Sequence, residues 1–197
     1  MQNYSHNKIK KEIKMIKRNA GLIGKLYINH IAVAVFGLIM TITARFISNR
    51  SMDGNMALNY ILGGVSVLLY IIILYVNFWE LGAADKIKID GGRMKENIWT
   101  GLVVSAMANI PAFVFGILSM LSCYIENDFL GLSASICNLY HGMYIFAIPE
   151  INPHFPAIYL LISVPALLTG FISYILGVKG FKCLFKEPKK EQERRIS

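Results

Sequence analysis

Charged residues are scarce in this chain. They make up 16% of its 197 residues, whereas a soluble domain carries about a quarter. Apolar residues make up 55% and are gathered in long runs, and a run of about 20 apolar residues is enough to cross a membrane. The composition therefore excludes an ordinary soluble domain and predicts an all-α membrane protein.

The motifs of common enzyme and metal sites are missing as well. The sequence has no Gly-rich phosphate loop, HExxH, CxxC or Gly-x-Ser-x-Gly pattern, and its four His and three Cys are scattered. No Asp or Glu lies centrally in an apolar run, which argues against an ion pump of the carboxylate type. We therefore expect neither an enzyme nor a bound cofactor or metal.

Four apolar segments are long enough to span a membrane, at 26–47, 57–79, 98–123 and 157–178. A fifth stretch, 129–149, has sufficient length but is more polar than the others. The four segments define a single transmembrane domain.

Lys and Arg are entirely missing from 124–156, whereas 18 of the 20 lie in 1–25, 80–97 and 179–197. Basic residues in short flanking loops stay on the cytoplasmic side. The distribution predicts four spans, both termini in the cytoplasm, and 124–156 as an outer segment with a re-entrant or interfacial helix. Five crossings, with the basic tail outside, are the alternative.

The net charge of +8 is, on this topology, an orientation signal. It favours contact with a bilayer whose inner leaflet is anionic and gives no reason to expect nucleic acid. Apolar residues recur at intervals of three and four among the lysines of 8–23, which predicts a basic amphipathic helix within 1–25. That helix either rests on lipid or docks an acidic partner.

The predicted cytoplasmic connector lies between Trp79 and Trp99, two residues suited to the membrane interface. The charged residues that could form a partner site there are Glu80, Asp85, Asp90 and Arg93. Local pairing of these charges within an interfacial loop is the alternative.

Two short patterns in the sequence carry a resemblance. The first has an aromatic residue and Glu80, then Gly82, Asp85, a Gly-Gly-Arg turn, Gly101 and Asn109-Ile110-Pro111. The second is the stretch Tyr174, Leu176, Gly177, Lys179, Gly180, Phe181 before a Lys-rich tail. The chain resembles small uncharacterised polytopic membrane proteins of Gram-positive bacteria, which implies a multi-pass protein of a bacterial cell membrane and carries over no catalytic residue.

Segments 110–119 and 164–173 share Pro, Ala, Gly and Ser at identical spacing. Proline kinks a helix, small residues allow close helix contact, and an inverted pair of broken helices is typical of transporters. Ordinary helix packing explains the same residues. The residues that would bend the spans or line a cavity are Asn109, Pro111, Gly116, Asn138, His141, Pro165 and Gly170.

These observations favour an integral membrane protein that acts by binding. We expect an accessory or scaffold subunit of a membrane complex, whose partner is another membrane protein or a second copy of the chain. The alternative is a small-molecule transporter or substrate-binding component with a cavity between the two Pro-containing spans.

Overall fold

The computed structural model describes residues 2–50, 57–125, 127–148, 155 and 157–181, so most of the predicted tail at 179–197 lies outside the described residues. All regular structure in these ranges is helical. The helices are α1 (Gln2–Arg50), α2 (Ala57–Asp90), α3 (Thr100–Ala108), α4 (Ile110–Ser122), α5 (Asp128–Tyr140), α6 (Ile158–Leu161) and α7 (Val164–Lys179), with a 3-10 turn at Gly142–Tyr144.

Three helical segments are long and apolar enough to cross a membrane: Met15–Ser48, Ala57–Asp90 and Ile158–Lys179. Helices α3 and α4 form a fourth candidate if they count as one span, because together they pass the same test despite a bend of 55°. The structure thus confirms the all-helical class and a multi-pass protein with three to four candidate spans.

Helix α1 is longer than the sequence predicted. The expected amphipathic helix and the first span form one unbroken helix of 49 residues, because no proline interrupts the segment between them. At 1.5 Å per residue its length is about 74 Å, more than twice the roughly 30 Å of a hydrocarbon core. The predicted boundary near residue 25 is therefore not a break in the structure.

Contacts between side chains show the relative directions of the helices. Arg18 lies beside Asp85 and His30 beside Tyr70, so α1 and α2 are antiparallel. Helix α7 runs parallel to α2 and antiparallel to α3. The end of the bundle where α2 and α7 finish is called the Asp85 end below.

Glycines bring α2 and α7 together near the Asp85 end. A Cβ atom at Gly82 would collide with the carbonyl oxygen of Tyr174, and one at Gly177 would collide with that of Trp79. Small residues allow such close helix contact in lipid, where packing supplies much of the association energy.

The bend between α3 and α4 occurs at Asn109, two residues before Pro111. Proline has no N–H to donate to the carbonyl four residues earlier, which belongs to Met107. The hydroxyl of Tyr27 on α1 donates to that carbonyl oxygen at 2.7 Å, and the Asn109 side-chain amide donates to the Ser105 carbonyl at 2.8 Å. The bend is therefore stabilised by contacts within α3 and from α1.

Helix α5 packs against α4 and ends in the interior of the bundle. The turn that follows it lies against the middle of the apolar segment 26–47 of α1, where Gly142 contacts the Ala34 backbone and Met143 contacts Gly37. Three residues after Met143, Phe146 packs on Gly63 of α2. The segment 128–148 therefore enters the bundle from the end opposite to Asp85 and reaches about halfway along the apolar segment 26–47 of α1.

Candidate functional site

The first polar cluster surrounds Asp85, whose side chain is completely buried. Its Oδ2 atom lies 2.9 Å from Nη2 of Arg18 and accepts a hydrogen bond from the Tyr174 hydroxyl at 3.2 Å. Its Oδ1 atom lies 3.2 Å from Nζ of Lys88. One carboxylate thus joins α1, α2 and α7.

This geometry depends on the glycines that bring α2 and α7 into contact, because their approach encloses the carboxylate. A buried charge is tolerated when it is paired and hydrogen-bonded, and Asp85 has both kinds of partner. The Arg18 side chain is 34% exposed, so the ion pair has one buried and one accessible member. We call the set Arg18, Asp85, Lys88 and Tyr174 the Asp85 cluster.

The structure separates the four residues of the predicted connector site. Glu80, Asp90 and Arg93 are exposed, and Asp90 lies 3.7 Å from Nζ of Lys86 one helical turn earlier. Asp85 instead faces the interior. Arg18 was missing from the predicted set because it lies 67 residues from Asp85 and only the tertiary contact identifies it.

The second polar cluster lies near the middle of the bundle. It consists of His30 of α1, Tyr70 and Tyr140 and is called the His30 cluster below. The Nε2 atom of His30 is 3.0 Å from the carbonyl oxygen of Tyr140, and Nδ1 is 2.8 Å from the hydroxyl of Tyr70. A carbonyl only accepts, so Nε2 donates and, in the neutral ring, Nδ1 accepts from the tyrosine. The His30 ring also stacks on Tyr140 with centroids 4.2 Å apart.

His141 lies next to this cluster, with its ring centroid 5.8 Å from that of His30. Its Nδ1 atom donates to the Cys137 carbonyl at 3.1 Å. Within the described part of the chain, the buried Nε2 of His141 and the hydroxyls of Tyr140 and Tyr144 have no hydrogen-bond partner. These groups are one acceptor and two donors, and ordered water satisfies such groups in protein interiors.

The structure places the residues predicted for a cavity in different surroundings. Asn109, Pro111, Gly116 and Gly170 lie where α3 and α4 pack on α6 and α7, whereas Pro165 lines a groove between α2 and α7. Gly116 contacts the Tyr159 backbone, Gly170 contacts Ser105, and the Ser105 hydroxyl donates to the Ala166 carbonyl at 3.2 Å. These contacts bring α3 and α4 close to α6 and α7.

The remaining two predicted residues belong to the end of α5. Asn138 is half-buried and His141 is buried. The sequence predicted that they share one helical face, but α5 ends at Tyr140 and His141 caps it. The tyrosines that complete the His30 cluster were not predicted, because single tyrosines in apolar runs give no signal.

No group of three His, Cys, Asp or Glu side chains among the described residues is placed to hold a metal ion. Cys137 is a buried free thiol.

Comparison with protein-family models, with curated proteins and with solved structures finds no match to this chain. The candidate site therefore consists of two polar clusters. A buried ion-pair cluster fixes α1 at one end of the bundle, and a His–Tyr cluster contacts the end of α5.

Proposed function

We propose that this integral membrane protein acts by binding, as an accessory or scaffold subunit of a membrane complex. The observation that carries the proposal is the Arg18–Asp85 ion pair, which fixes α1 to α2 and α7 at the Asp85 end. Helix α2 ends five residues after Asp85, so by antiparallel register residues 2–12 of α1 extend beyond it. A firmly held basic helix is suited to binding an acidic surface of a neighbouring protein.

The proposed topology has four spans, with α3 and α4 counted as one, and the segment 124–156 entering from outside without crossing. The position of the 3-10 turn against the middle of the apolar segment 26–47 of α1 supports this arrangement, since non-helical backbone at membrane depth has to be buried in protein. The basic residues near the Asp85 end favour a cytoplasmic location for both termini. A bacterial cell membrane is the location we propose, on the basis of the resemblance noted in the sequence.

The binding role is tested with the full-length protein extracted in mild detergent, crosslinked and analysed by mass spectrometry. Replacement of Lys8, Lys10, Lys11 and Lys14 by Gln should abolish crosslinks to the partner. The matched control replaces Lys182, Lys186, Lys189 and Lys190 by Gln, because it removes the same charge from the other end of the chain. Crosslinks should persist in this control.

A wild-type protein that stays monomeric and yields no crosslinked protein would contradict the proposal. Equal loss of crosslinks in both variants would also contradict it, because the effect would then come from net charge rather than from α1.

A transport function is the second candidate, and the arrangement of the two helix breaks favours it. Ser105 bonds to Ala166 and Gly116 contacts Tyr159, so by antiparallel register the break at Asn109 lies level with the break between α6 and α7. Each break is followed by a proline in the first turn of the next helix. Paired breaks at one level are a feature of transporter binding sites.

Replacement of Pro111 and Pro165 by Ala tests this second candidate. If the protein is a transporter, the two substitutions should abolish solute uptake without lowering expression or thermal stability. Unchanged growth and uptake in the double variant would exclude a function that depends on the breaks.

A further inference from the structure

An apolar groove lies on the outside of the bundle between α2 and α7. Its volume is about 470 Å³, and its lining includes Ile71, Ile72, Tyr75, Pro165, Leu168 and Ile172. Ile72, Leu168 and Ile172 are 41–53% exposed, so the groove opens outward. The Thr169 hydroxyl, also in the lining, bonds to the Pro165 carbonyl, which leaves little polar surface for a hydrophilic ligand.

The groove has the depth of one bilayer leaflet. Its lining on α7 runs from Pro165 to Leu176, and Lys179 is the last residue of that helix. At 1.5 Å per residue the lining lies from about 5 to about 21 Å above Lys179. One leaflet contributes about 15 Å of hydrocarbon, so the groove matches the length of an acyl chain that starts near the level of Lys179.

Two lysines lie below the groove on the same helical faces. Lys179 follows Ile172 by two turns of α7, and Lys86 follows Tyr75 by about three turns of α2. The helix ends meet there, since a Cβ at Gly180 would lie 3.8 Å from Cε of Lys86. Lys179 is exposed.

The groups around these lysines suit a phospholipid head. Lys86 has a contact of 3.7 Å with Asp90, and both side chains are exposed. Such a pair contributes little stability, and a phosphate competes well for an ammonium group. The Trp79 indole N–H donates to the Phe181 carbonyl at 2.6 Å, which fixes an aromatic ring near the end of α7.

We propose that the groove between α2 and α7 binds an anionic phospholipid of the leaflet at the Asp85 end. One acyl chain lies along Ile72, Leu168 and Ile172, and the phosphate lies between Lys86 and Lys179. The lipid belongs to the binding surface of the protein and is retained selectively over a zwitterionic lipid of the same chain length. This inference uses neither α1 nor the proposed partner.

The proposal is tested by native mass spectrometry of the full-length protein released from micelles that contain dioleoyl phosphatidylglycerol or dioleoyl phosphatidylcholine. The wild type should retain the phosphatidylglycerol in preference to the phosphatidylcholine. Replacing both Lys86 and Lys179 by Gln should weaken its retention by roughly ten- to thirty-fold, as expected for about 1 kcal/mol per lysine near an anionic surface. Lys25→Gln, at an exposed position on α1, is the charge control and should leave retention unchanged.

Leu168→Trp fills the groove and should reduce retention of both lipids. Ile39→Trp is the matched control, because Ile39 is 57% exposed on α1 and lies outside the groove. Equal retention of the two lipids by the wild type, or equal behaviour of the two tryptophan variants, would overturn the proposal. A dimer that disappears only in Leu168→Trp, with lipid retention unaffected, would assign the groove to a second copy and also overturn it.

Soluble glycerol 1-phosphate provides a competition test at millimolar concentration. If it abolishes retention of the lipid, the protein has a site for the headgroup and none for the acyl chain, and the proposal is likewise overturned. Failure of this lipid test leaves the partner proposal standing, since that proposal rests on α1, its lysines and its ion pair with Asp85.

Discussion

Asp85 shows how much a single side chain depends on tertiary structure. From the sequence it is one of several charges in a connector, and nothing local distinguishes it from Asp90. In the structure Asp85 is fully buried whereas the Asp90 side chain is 64% exposed. The difference arises because Gly82 and Gly177 bring two helices together around one carboxylate and leave the other in solvent.

We expect Asp85→Asn to lower the free energy of unfolding by about 1–3 kcal/mol, because Arg18, Lys88 and Tyr174 would all lose a charged acceptor. Asp90→Asn is the matched control and should change it by less than about 0.5 kcal/mol, as for other exposed pairs. Thermal or denaturant unfolding of the purified protein in detergent measures both. Equal effects of the two substitutions would show that the Asp85 cluster does not hold the helices.

Gly142 is a second position where one atom decides the packing. A Cβ there would meet the Ala34 backbone of α1, so Gly142→Ala should push the turn away and destabilise the protein by about 1–3 kcal/mol. Gly131→Ala provides the comparison, since nothing lies within 4 Å of its Cβ position and alanine favours a helix by about 0.5–1 kcal/mol. The unfolding temperature should therefore fall in Gly142→Ala and rise in Gly131→Ala. A change in the same direction in both variants would argue against the contact between Gly142 and Ala34.

At the scale of elements, the sequence predicted the apolar helices well and their limits less well. The run at 57–79 lies within α2, and the run at 157–178 is helical except at residue 157 and at the break at 162–163, because long apolar stretches have few alternatives in a membrane. Helix α1 was divided at residue 25 on the basis of its charge pattern. Helical backbone is insensitive to that pattern when no proline or cap intervenes, so the helix continues.

The bend between α3 and α4 leads to a prediction for Tyr27. Tyr27→Phe removes the donor to the Met107 carbonyl and should lower stability by about 0.6 kcal/mol, the usual size of such bonds in membrane helices. In a Pro111→Ala background the effect should shrink, because residue 111 then supplies a backbone N–H to the same carbonyl. A double-mutant cycle measured by unfolding gives the coupling. Tyr124→Phe, at an exposed position, is the control, and additive effects of Tyr27→Phe and Pro111→Ala would contradict the explanation.

At the scale of the whole molecule, the missing basic residues of 124–156 pointed to a segment that does not cross. The contacts with α1 could not be predicted, because they join Gly142 and Met143 to Ala34 and Gly37 across more than 100 residues. The His30 cluster was missed for the same reason: its hydrogen bonds link three separate parts of the chain.

Single cysteines introduced into a background without native cysteines test the topology in intact cells. A membrane-impermeant maleimide should label Gly131→Cys from outside, should fail to label Met143→Cys, and should label Ser197→Cys only after the membrane is permeabilised. This pattern follows from a buried turn and a cytoplasmic end of the chain. Labelling of Ser197→Cys in intact cells would indicate five crossings and would contradict the antiparallel directions of α3 and α7.

The unbroken course of α1 has a mechanical consequence. Residues 2–17 continue the membrane-embedded helix for about 24 Å, so every 10° of tilt of the bundle displaces Gln2 by about 4 Å relative to Arg18. Helix bundles tilt when bilayer thickness changes. The same rod that holds the basic residues in place therefore converts a change in membrane thickness into a lateral movement of its end.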